Sequence, residues 1–233
     1  MTINRLAIIP ARLGSKRIYR KNVRLFCGKP MISYPVFSLM QTGIFQKIHV
    51  STESEEIQEL VRKECNLEID FLRSGNLSDD ATPLRPVIDF VVRKYKDDYK
   101  LIFDEVWLVL PCNPFLTAEI IMGAAKISLG YNDCLVSVSE YPVPVEWAFR
   151  LSEFEDQMIP LNPENLNERS QDIERKYFDN GLLAKFSAGL FYSDRELSVR
   201  YRGMVFPKHA GVDIDDEDDW LFAENLYKAK RLI

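Results

Sequence analysis

Cysteine and histidine are scarce in this sequence, which contains four cysteines and two histidines among 233 residues. Because the cysteines are scattered and form no C-x-x-C pair, neither a structural zinc site nor a disulfide framework is expected. The simpler prediction is that they are buried free thiols, at Cys27, Cys65, Cys112 and Cys134. No Ser–His or Cys–His pairing of a nucleophile with its base is recognisable either, so we expect His49 and His209 to be structural.

Long hydrophobic runs and an excess of positive charge are also missing. No apolar run approaches the roughly 20 residues that a membrane-spanning helix needs, and residues 6–9 are too short for the core of a signal peptide. Lys and Arg number 30 against 35 Asp and Glu, and the net charge of -5 is poorly suited to a protein that mainly binds nucleic acid. We therefore expect a cytoplasmic protein with no membrane insertion and no nucleic-acid partner, in which any bound phosphate meets a local basic site.

The remaining composition is that of an ordinary globular domain, with 46% hydrophobic and 28% charged residues, and the length favours a single domain over residues 1–233. Segments typical of buried strands occur at residues 5–10, 47–51, 69–72, 105–110 and 134–138, and helical patterns lie between them at residues 31–42, 53–65, 83–95 and 117–129. This alternation predicts an α/β fold with a mostly parallel, Rossmann-like sheet and helices on both faces. Such sheets bind ligands at the carboxyl ends of their strands.

The alternation stops at about residues 142–186, a polar stretch that contains several prolines. Its composition is still compatible with folding, so we expect a protruding excursion from the sheet that serves as a dimerisation contact or as a lid over the site. Strand character returns at residues 188–192 and 203–206, and apolar residues recur at helical spacing within residues 216–231.

The segment richest in chemistry is residues 10–22, directly after the first strand. Gly14 lets the backbone approach a ligand closely, and Ser15 offers a hydroxyl. Positive charge is concentrated here, at Arg12, Lys16, Arg17, Arg20 and Lys21. A solvated basic loop is the alternative, but the glycine and the position after a strand favour a triphosphate-binding loop. Neither G-x-x-x-x-G-K-[ST] nor G-x-G-x-x-G is present, which removes the main support for a kinase or a dehydrogenase.

Two aspartates near the end of the chain form a candidate cation site. Asp213 and Asp215 flank Ile214, so on an extended segment both carboxylates point to one face, as a shared hard cation requires. The alternative is that they belong to an acidic run that begins the last helix, where carboxylates suit the helix dipole. That alternative explains residues 216–219 better than it explains the alternating pair, which favours the metal interpretation.

Several motifs together resemble one known family. Ile9-Pro-Ala-Arg-Leu-Gly-Ser-Lys-Arg-Ile-Tyr-Arg-Lys-Asn22, followed by Gly28-Lys-Pro-Met31, is similar to the opening signature of the acylneuraminate cytidylyltransferases, also called CMP-sialic acid synthetases. The similarity continues through Ser51-Thr52, Phe71-Leu-Arg-Ser74, Leu77-Ser-Asp-Asp80, residues 111–114 and Val212-Asp-Ile-Asp215. It covers nearly the whole chain, and the order and spacing of the motifs argue against an accidental match.

The resemblance implies a nucleotidyltransferase sheet and a reaction in which CTP and an acidic nine-carbon 2-keto sugar give a CMP-sugar and pyrophosphate, with Mg²⁺. Carried over by position, the catalytic residues are Arg12, Lys21, Asp213 and Asp215, and the two aspartates also hold the metal. The residues expected around CTP are Leu13, Gly14, Ser15, Lys16, Asn22, Arg73 and Thr82. A homodimer is also implied, in which the excursion reaches the partner's site.

The acid is indicated by a departure from the sialic acid enzymes, which place a glutamine where this chain has Leu110. An apolar residue removes a hydrogen bond to the sugar. The segments Pro114-Phe115, Arg169-Ser-Gln-Asp172 and Ala188-Gly-Leu-Phe-Tyr192 also resemble the pseudaminic acid cytidylyltransferase branch. The sugar-contact candidates are Leu110, Asn113, Phe115, Arg169, Gly189 and Tyr192, with Asn180-Gly181 as a competing match for the Ala188-Gly189 element. Candidates for the sugar carboxylate are Arg169, Arg175, Lys176 and Lys185. Legionaminate, neuraminate or Kdo remain alternative acids, and a nucleotide-binding protein without turnover is the alternative from another class.

Overall fold

The computed structural model describes residues 3–77, 83–129, 134–153, 156–192 and 200–230. The strands are β1 (Arg5–Pro10), β2 (Leu25–Phe26), β3 (Lys29–Pro30), β4 (Lys47–Ser51), β5 (Glu105–Val109), β6 (Cys134–Glu140), β7 (Phe149–Leu151), β8 (Met158–Pro160), β9 (Tyr177–Ser187) and β10 (Tyr201–Val205). The α-helices are α1 (Ser33–Thr42), α2 (Glu55–Cys65), α3 (Leu84–Tyr99), α4 (Ala118–Ser128), α5 (Gly189–Tyr192) and α6 (Glu217–Lys230). Short 3₁₀ turns occur at Gly75–Leu77, Val145–Trp147 and Pro163–Asn165.

A six-stranded sheet in the order β10-β6-β9-β5-β1-β4 forms the centre of the fold. β1 is parallel to β4 and β5, and β6 is parallel to β10, whereas β9 runs antiparallel to both of its neighbours, β5 and β6. The prediction of a mostly parallel sheet is therefore confirmed. β1, β4, β5 and β6 all end at one edge, called here the carboxyl edge, and the antiparallel β9 begins at this same edge.

Helices cover both faces of the sheet, as predicted, because successive side chains of a buried strand point to opposite sides. On β1, Ala7 and Ile9 pack in a core that also contains apolar residues of α1, α2, α4 and α6. Leu6 and Ile8 pack in a second core with residues of α3 and α5. Side-chain oxygens cap two of these helices, since Ser54 accepts a hydrogen bond from the Ile57 amide and Thr117 accepts one from the Ile120 amide.

The cysteine prediction is confirmed for three positions. All four cysteines are free thiols, and Cys65, Cys112 and Cys134 are buried, whereas Cys27 is half-buried. Within the described parts of the chain, no helix combines the length and the apolar character needed to span a membrane.

Two predicted strands are wrong. Residues 69–72 pair with no strand, and β4 remains the edge strand of the sheet. Next to them, the Arg73 amide donates to the Thr52 carbonyl at 2.9 Å. Ile69 and Phe71 are buried, which explains the apolar pattern without a strand. Residues 188–192 turn into the short helix α5, since β9 already ends at Ser187.

The excursion is shorter than the predicted residues 142–186. The chain leaves the main sheet after β6 and folds into the β7–β8 hairpin and two 3₁₀ turns, which the Trp147 Nε1 to Asn165 carbonyl hydrogen bond of 3.1 Å helps to join. It then returns to the middle of the sheet as β9. Residues 177–186 therefore belong to the sheet, where they pair with both β5 and β6.

Candidate functional site

A cavity of about 450 Å³ opens at the carboxyl edge, beyond the ends of β1 and β5. Its position is the one at which open α/β sheets bind ligands. Three sequence segments that are far apart converge on it: the loop after β1, the residues that follow β5, and the segment before α6. The lining includes Pro10, Arg12, Ser15, Lys16, Arg17, Ile18, Lys21, Asn22, Arg73, Leu77, Leu110, Pro111, Cys112, Leu182, Asp213 and Asp215.

The basic loop, residues 11–24, is held in place by hydrogen bonds of the Asn22 side chain. The Asn22 Nδ2 donates to the Arg12 carbonyl at 2.8 Å, and the Cys112 thiol donates to Asn22 Oδ1 at 3.3 Å. Burial raises the pKa of Cys112 to about 12, so the thiol stays protonated and keeps its donor role. The Asn22 side chain, one of those expected around CTP, thus also holds the loop in shape.

Leu13 and Gly14 lie in the same loop but do not line the cavity. The Leu13 amide donates to Glu53 Oε1 at 3.3 Å. Gly14 is exposed, with open space where a Cβ would lie, so no close approach within the chain requires the glycine. The structure therefore brings Arg12, Ser15 and Lys16 of the expected phosphate contacts to the cavity wall, and leaves their two neighbours outside it.

Arg73 reaches the cavity from the segment between α2 and α3. Its side chain is only 4% exposed and forms an ion pair with Glu53, in which Nη2 lies 3.0 Å from Oε2. Its Nη1 also donates to the Ser51 carbonyl at 3.1 Å. Burial lowers the pKa of Arg73, and the charge of Glu53 opposes that effect. Thr82, the other residue expected beside the nucleotide, lies outside the described residues.

Glu53 is a site residue that the sequence analysis missed. Its two carboxylate oxygens contact the Leu13 amide of the basic loop and the Arg73 guanidinium, so one side chain connects the basic loop to the segment between α2 and α3. The available signal was an acidic residue directly after Ser51-Thr52, at the carboxyl end of a predicted strand.

The aspartate pair faces the basic loop across the cavity. Lys21 Nζ donates to the Ile214 carbonyl at 2.6 Å and lies 3.8 Å from Asp215 Oδ1, while Arg17 Nη1 lies 2.6 Å from Asp215 Oδ2. Partial desolvation, followed by the negative charge of Asp215, raises the pKa of Asp213. The predicted proximity of Arg12, Lys21, Asp213 and Asp215 in one cavity is thus present in the structure.

The donor chemistry of this pair fits Mg²⁺. Asp213 and Asp215 both line the cavity, and the repulsion between them adds to the desolvation that raises the pKa of Asp213. In the described part of the chain, no three Asp, Glu, His or Cys residues are grouped as a complete metal cage. Mg²⁺ commonly binds one or two carboxylates and completes its shell with substrate phosphates and water, so two aspartates on the wall of an open cavity match that donor set.

The sugar-contact candidates are divided by the structure. Leu110 lines the cavity with Leu182, and these residues form an apolar part of its wall. Phe115 is buried in the core, where its ring packs against those of Tyr227 and His209, and it does not reach the cavity. The assignment of Phe115 as a sugar contact is therefore corrected, and the apolar part of the wall is formed by Leu110, Cys112 and Leu182. Asn113 is fully buried and is not part of the lining.

Gly189 and Tyr192 lie at the opposite edge of the sheet. The Tyr192 hydroxyl accepts a hydrogen bond from the Phe103 amide at 2.9 Å, just before β5 begins. Their assignment as sugar contacts is therefore corrected, because the register of β9 brings the competing match Asn180-Gly181 to the carboxyl edge instead. A Cβ built on Gly181 would lie 3.9 Å from Leu110 Cδ1.

The basic candidates for the sugar carboxylate are similarly dispersed. Lys185 is buried, with its Nζ 3.9 Å from Glu105 Oε1, and β9 holds it away from the cavity. Arg175 pairs with Glu140 at 3.6 Å, and Lys176 pairs with Glu146. Arg169 is exposed on the excursion and does not line the cavity.

The chain is similar to a family of known proteins. Residues 6–202 match a family model described as cytidylyltransferase. The chain is 33% identical over 226 residues to the pseudaminic acid cytidylyltransferase of Campylobacter jejuni, with 96% of each protein covered. It is 28% identical to the CMP-N,N'-diacetyllegionaminic acid synthase of Legionella pneumophila, with 95% of each covered. It is 26% identical to the N-acylneuraminate cytidylyltransferase of Escherichia coli, covering 97% of this chain and 52% of the relative.

Solved structures support the fold assignment. CMP:2-keto-3-deoxy-manno-octonic acid synthetase in complex with CTP aligns with a TM-score of 0.69 at 13% identity, over 97% of this chain and 99% of the other. The 4-diphosphocytidyl-2C-methyl-D-erythritol synthase of Anaerococcus prevotii aligns with a TM-score of 0.62 at 11% identity, over 98% and 100% of the two chains. At such low identities the similarity concerns the fold.

Proposed function

Because the chain belongs to the cytidylyltransferase family, we propose that its carboxyl-edge cavity couples CTP to pseudaminic acid and releases the CMP-sugar and pyrophosphate. The protein is a nucleotidyltransferase enzyme that uses CTP. The structural observation that carries the proposal is the convergence of the basic loop and the Asp213/Asp215 pair on one cavity, where Lys21 contacts the segment that bears the aspartates. We place the reaction in the cytoplasm, where CTP is made.

The chemistry requires alignment and charge neutralisation more than covalent help from the protein. The anomeric hydroxyl of the acid attacks the α-phosphorus of CTP and forms the new P–O bond. The bond from the α-phosphorus to its bridging oxygen breaks, the electron pair leaves with pyrophosphate, and the hydroxyl proton passes to water. Arg12, Lys16 and Lys21 are positioned to neutralise the charge that grows on the leaving group.

We assign Asp213 and Asp215 as the residues that hold Mg²⁺. When it is bound, Mg²⁺ supplies charge neutralisation and orientation for the phosphate oxygens. Lys21 fixes the backbone between the two aspartates through its hydrogen bond to the Ile214 carbonyl, so the same lysine serves both the phosphate side and the carboxylate side.

The choice of pseudaminic acid rests on the apolar wall and on the similarity to the Campylobacter jejuni enzyme. Pseudaminic acid has a methyl group where neuraminate has the terminal hydroxyl of its glycerol tail. A wall that contains Leu110 and Leu182 offers no hydrogen bond to that hydroxyl, and an unpaired polar group on burial costs affinity. Legionaminate, neuraminate and Kdo are the acids against which this preference is measured.

We also propose a homodimer that forms through the excursion, residues 141–176. Large apolar side chains are exposed on this segment, at Val143, Phe149, Leu151, Met158 and Leu161. An exposed apolar group of this kind is typical of a protein interface. Sedimentation of the purified protein, compared with a Leu151→Asp, Met158→Asp double variant, measures this: a dimer that becomes a monomer supports it, and an unchanged monomer contradicts it.

Pyrophosphate release tests the main proposal. CTP, Mg²⁺ and each candidate acid are supplied in turn, and release with pseudaminic acid is expected to exceed release with the others. Asp215→Asn should abolish turnover. Asp216→Asn is the matched control and should retain turnover. Asp216 Oδ1 accepts a hydrogen bond from the Asp219 amide at 2.9 Å, and an asparagine can still cap the helix in this way. CTP binding without turnover of any acid would favour the nucleotide-binding protein instead.

A further inference from the structure

β9 carries an irregularity opposite Ser137 of β6. Val136 pairs with Ala184, but Val138 pairs with Asp179, so residues 180–183 of β9 face a single residue of β6 and bulge out of the ladder. Gly181 adopts a φ of 69° there, which suits glycine. The bulge places Leu182 on the cavity wall, where its carbonyl accepts from the Leu110 amide at 3.0 Å.

Side chains supply the hydrogen bonds that the bulge removes from the ladder. Ser137 Oγ accepts from the Leu183 amide at 2.9 Å and donates to Asn180 Oδ1. Asn180 Oδ1 also accepts from the Leu182 amide at 3.2 Å, and Asn180 Nδ2 donates to Ser139 Oγ at 3.0 Å. Because Ser137 and Asn180 are buried, this network fixes the shape of the wall.

Gly211 lies directly on this network, two residues before Asp213. A Cβ built on Gly211 would overlap Ser139 Oγ and would lie 3.5 Å from both Asn180 Nδ2 and Ser139 Cβ. The backbone φ of Gly211 is not in the left-handed region, so the missing Cβ matters because of close approach rather than strain. Only glycine allows the chain to approach Ser139 this closely before it reaches the aspartate pair.

We propose that Gly211, Ser139 and Asn180 form a positioning unit that couples the sugar-side wall to the carboxylate pair. A side chain at position 211 leaves two outcomes. Either Ser139 Oγ rotates away and Asn180 loses its acceptor, which loosens the bulge at Leu182, or the backbone at 211 lifts and carries Asp213 with it. Both outcomes disturb the cavity although none of the three residues lines it.

Gly211→Ala is the primary test, and it is read by calorimetric titration of CTP in Mg²⁺ and in EDTA. The inference rests on the proposed metal role of Asp213 and Asp215, but this readout needs no acid substrate. We expect Gly211→Ala to bind CTP normally in EDTA, since the basic loop is untouched, and to lose about tenfold or more of the affinity that Mg²⁺ adds. Gly123→Ala in α4 is the matched control, because its new Cβ would meet only the Met204 methyl at 3.5 Å.

Removing the obstacle should restore function. In Gly211→Ala, Ser139→Ala, the hydroxyl that overlaps the new methyl is gone and Ser139 Cβ remains at an ordinary 3.5 Å. We expect the double variant to recover to within about threefold of the Ser139→Ala single variant. A double variant that stays well below the Ser139→Ala single variant would overturn the proposal, as would a Gly211→Ala protein that keeps the full Mg²⁺ effect. If Mg²⁺ adds no CTP affinity to the parental protein, both the metal assignment and this inference are overturned. If Mg²⁺ adds affinity normally but pseudaminic acid is not turned over, only the proposed acid is contradicted.

Discussion

Charged side chains are concentrated both at the carboxyl edge of the central sheet and at the opposite edge, called here the amino edge, where β1 and β5 begin. The two edges arrange these charges differently. At the amino edge, Glu105 accepts from Arg5 Nε at 2.7 Å and from Trp107 Nε1 at 3.0 Å, and it lies 3.9 Å from the buried Lys185. At the carboxyl edge, Arg17 and Asp215 pair with side chains that are 68% and 39% exposed, around an open cavity. At the amino edge, opposite charges neutralise each other in the protein interior. At the carboxyl edge, charged side chains line a cavity that is large enough for a ligand.

This difference shows that a high density of charge does not by itself identify a functional site. Lys185 was a candidate for the sugar carboxylate because it is basic, yet its side chain is 2% exposed and its charge is balanced within the amino edge. Lys21 is 20% exposed and lines the cavity. The amino edge should therefore govern stability, and the carboxyl edge should govern catalysis.

The largest effect is expected for Lys21→Met at the carboxyl edge. Loss of this cation removes a charge-assisted contact to the phosphates and releases the Ile214 carbonyl, so kcat/KM should fall by about 10³-fold, or about 4 kcal/mol. The thermal midpoint should change little. Arg20→Met is the matched control, because Arg20 lies in the same loop but pairs with Glu56 away from the cavity. Pyrophosphate release at the parental rate in Lys21→Met would assign the phosphates to another loop.

The next largest effect is expected at the amino edge, for Glu105→Gln. The amide keeps the shape but leaves Arg5 and Lys185 without their shared counter-charge, which should cost about 3 kcal/mol of unfolding free energy. Turnover per folded molecule should stay within about twofold of the parental value. Urea unfolding and pyrophosphate release on the same preparation check both parts, and a variant with lost turnover but parental stability would reverse the roles of the two edges.

A titratable side chain is also buried on the edge strand β4, at His49. Burial lowers the pKa of His49 to about 3, against opposition from Asp70 and with a contribution from Lys47. Tyr95 donates to Asp70 Oδ2 at 2.6 Å, so the contact of 3.1 Å between Tyr95 Oη and His49 Nδ1 is made by a neutral imidazole that donates from Nδ1.

The sign of the pH effect follows from this lowered pKa. The unfolded chain takes up a proton below about pH 6.5 whereas the folded chain resists it, so stability is highest above that pH and is lost as the pH falls toward 3. At pH 5 the loss due to His49 should be roughly 2 kcal/mol relative to pH 7. Urea unfolding at the two pH values should show a smaller difference in His49→Gln than in the parental protein, and equal differences would contradict the buried neutral histidine.

The smallest effect is expected for Leu110→Gln, which changes the chemistry of the cavity wall and leaves its charges alone. A glutamine amide can pair with a sugar hydroxyl, so the ratio of kcat/KM for neuraminate to that for pseudaminate should rise by about tenfold. Leu182→Met, which keeps the wall apolar, is the control and should leave the ratio unchanged. Use of neuraminate by the parental protein as well as or better than pseudaminate would contradict the proposed acid.

Most of the α/β alternation could be predicted from the sequence because each parallel strand is a short apolar run between amphipathic helices. Residues 5–10 and 47–51 coincide with β1 and β4, and residues 10–22 supply the basic loop at the cavity. The aspartate pair was predictable as well, since alternation within three residues is a local signal. The features that could be predicted were local in sequence: a strand, the end of that strand, and the polar residues that follow it.

β9 could not be predicted because its physical determinants are distant in sequence. Asn180-Gly181 and the charged Lys185 interrupt its apolar pattern. The burial of Asn180 and Lys185 depends on Ser137, Ser139 and Glu105 elsewhere in the chain. Antiparallel insertion of β9 between β5 and β6 also moves residues 188–192 to the amino edge, which explains why Gly189 and Tyr192 were misassigned. Residues 69–72 show the converse error, in which an apolar pattern reflects burial beside an edge strand.

The central position of β9 also determines the order in which the sheet can be assembled on the ribosome. Strand β1 pairs with both β4 and β5, and β10 pairs with β6, but the two groups are joined only through β9 in the described sheet. The open side of β5 therefore waits for residues 177–187 to be synthesised, and an unpaired strand edge invites association between chains. Nascent chains paused before that point should aggregate more readily than complete ones, which makes the late arrival of a single strand a determinant of expression yield.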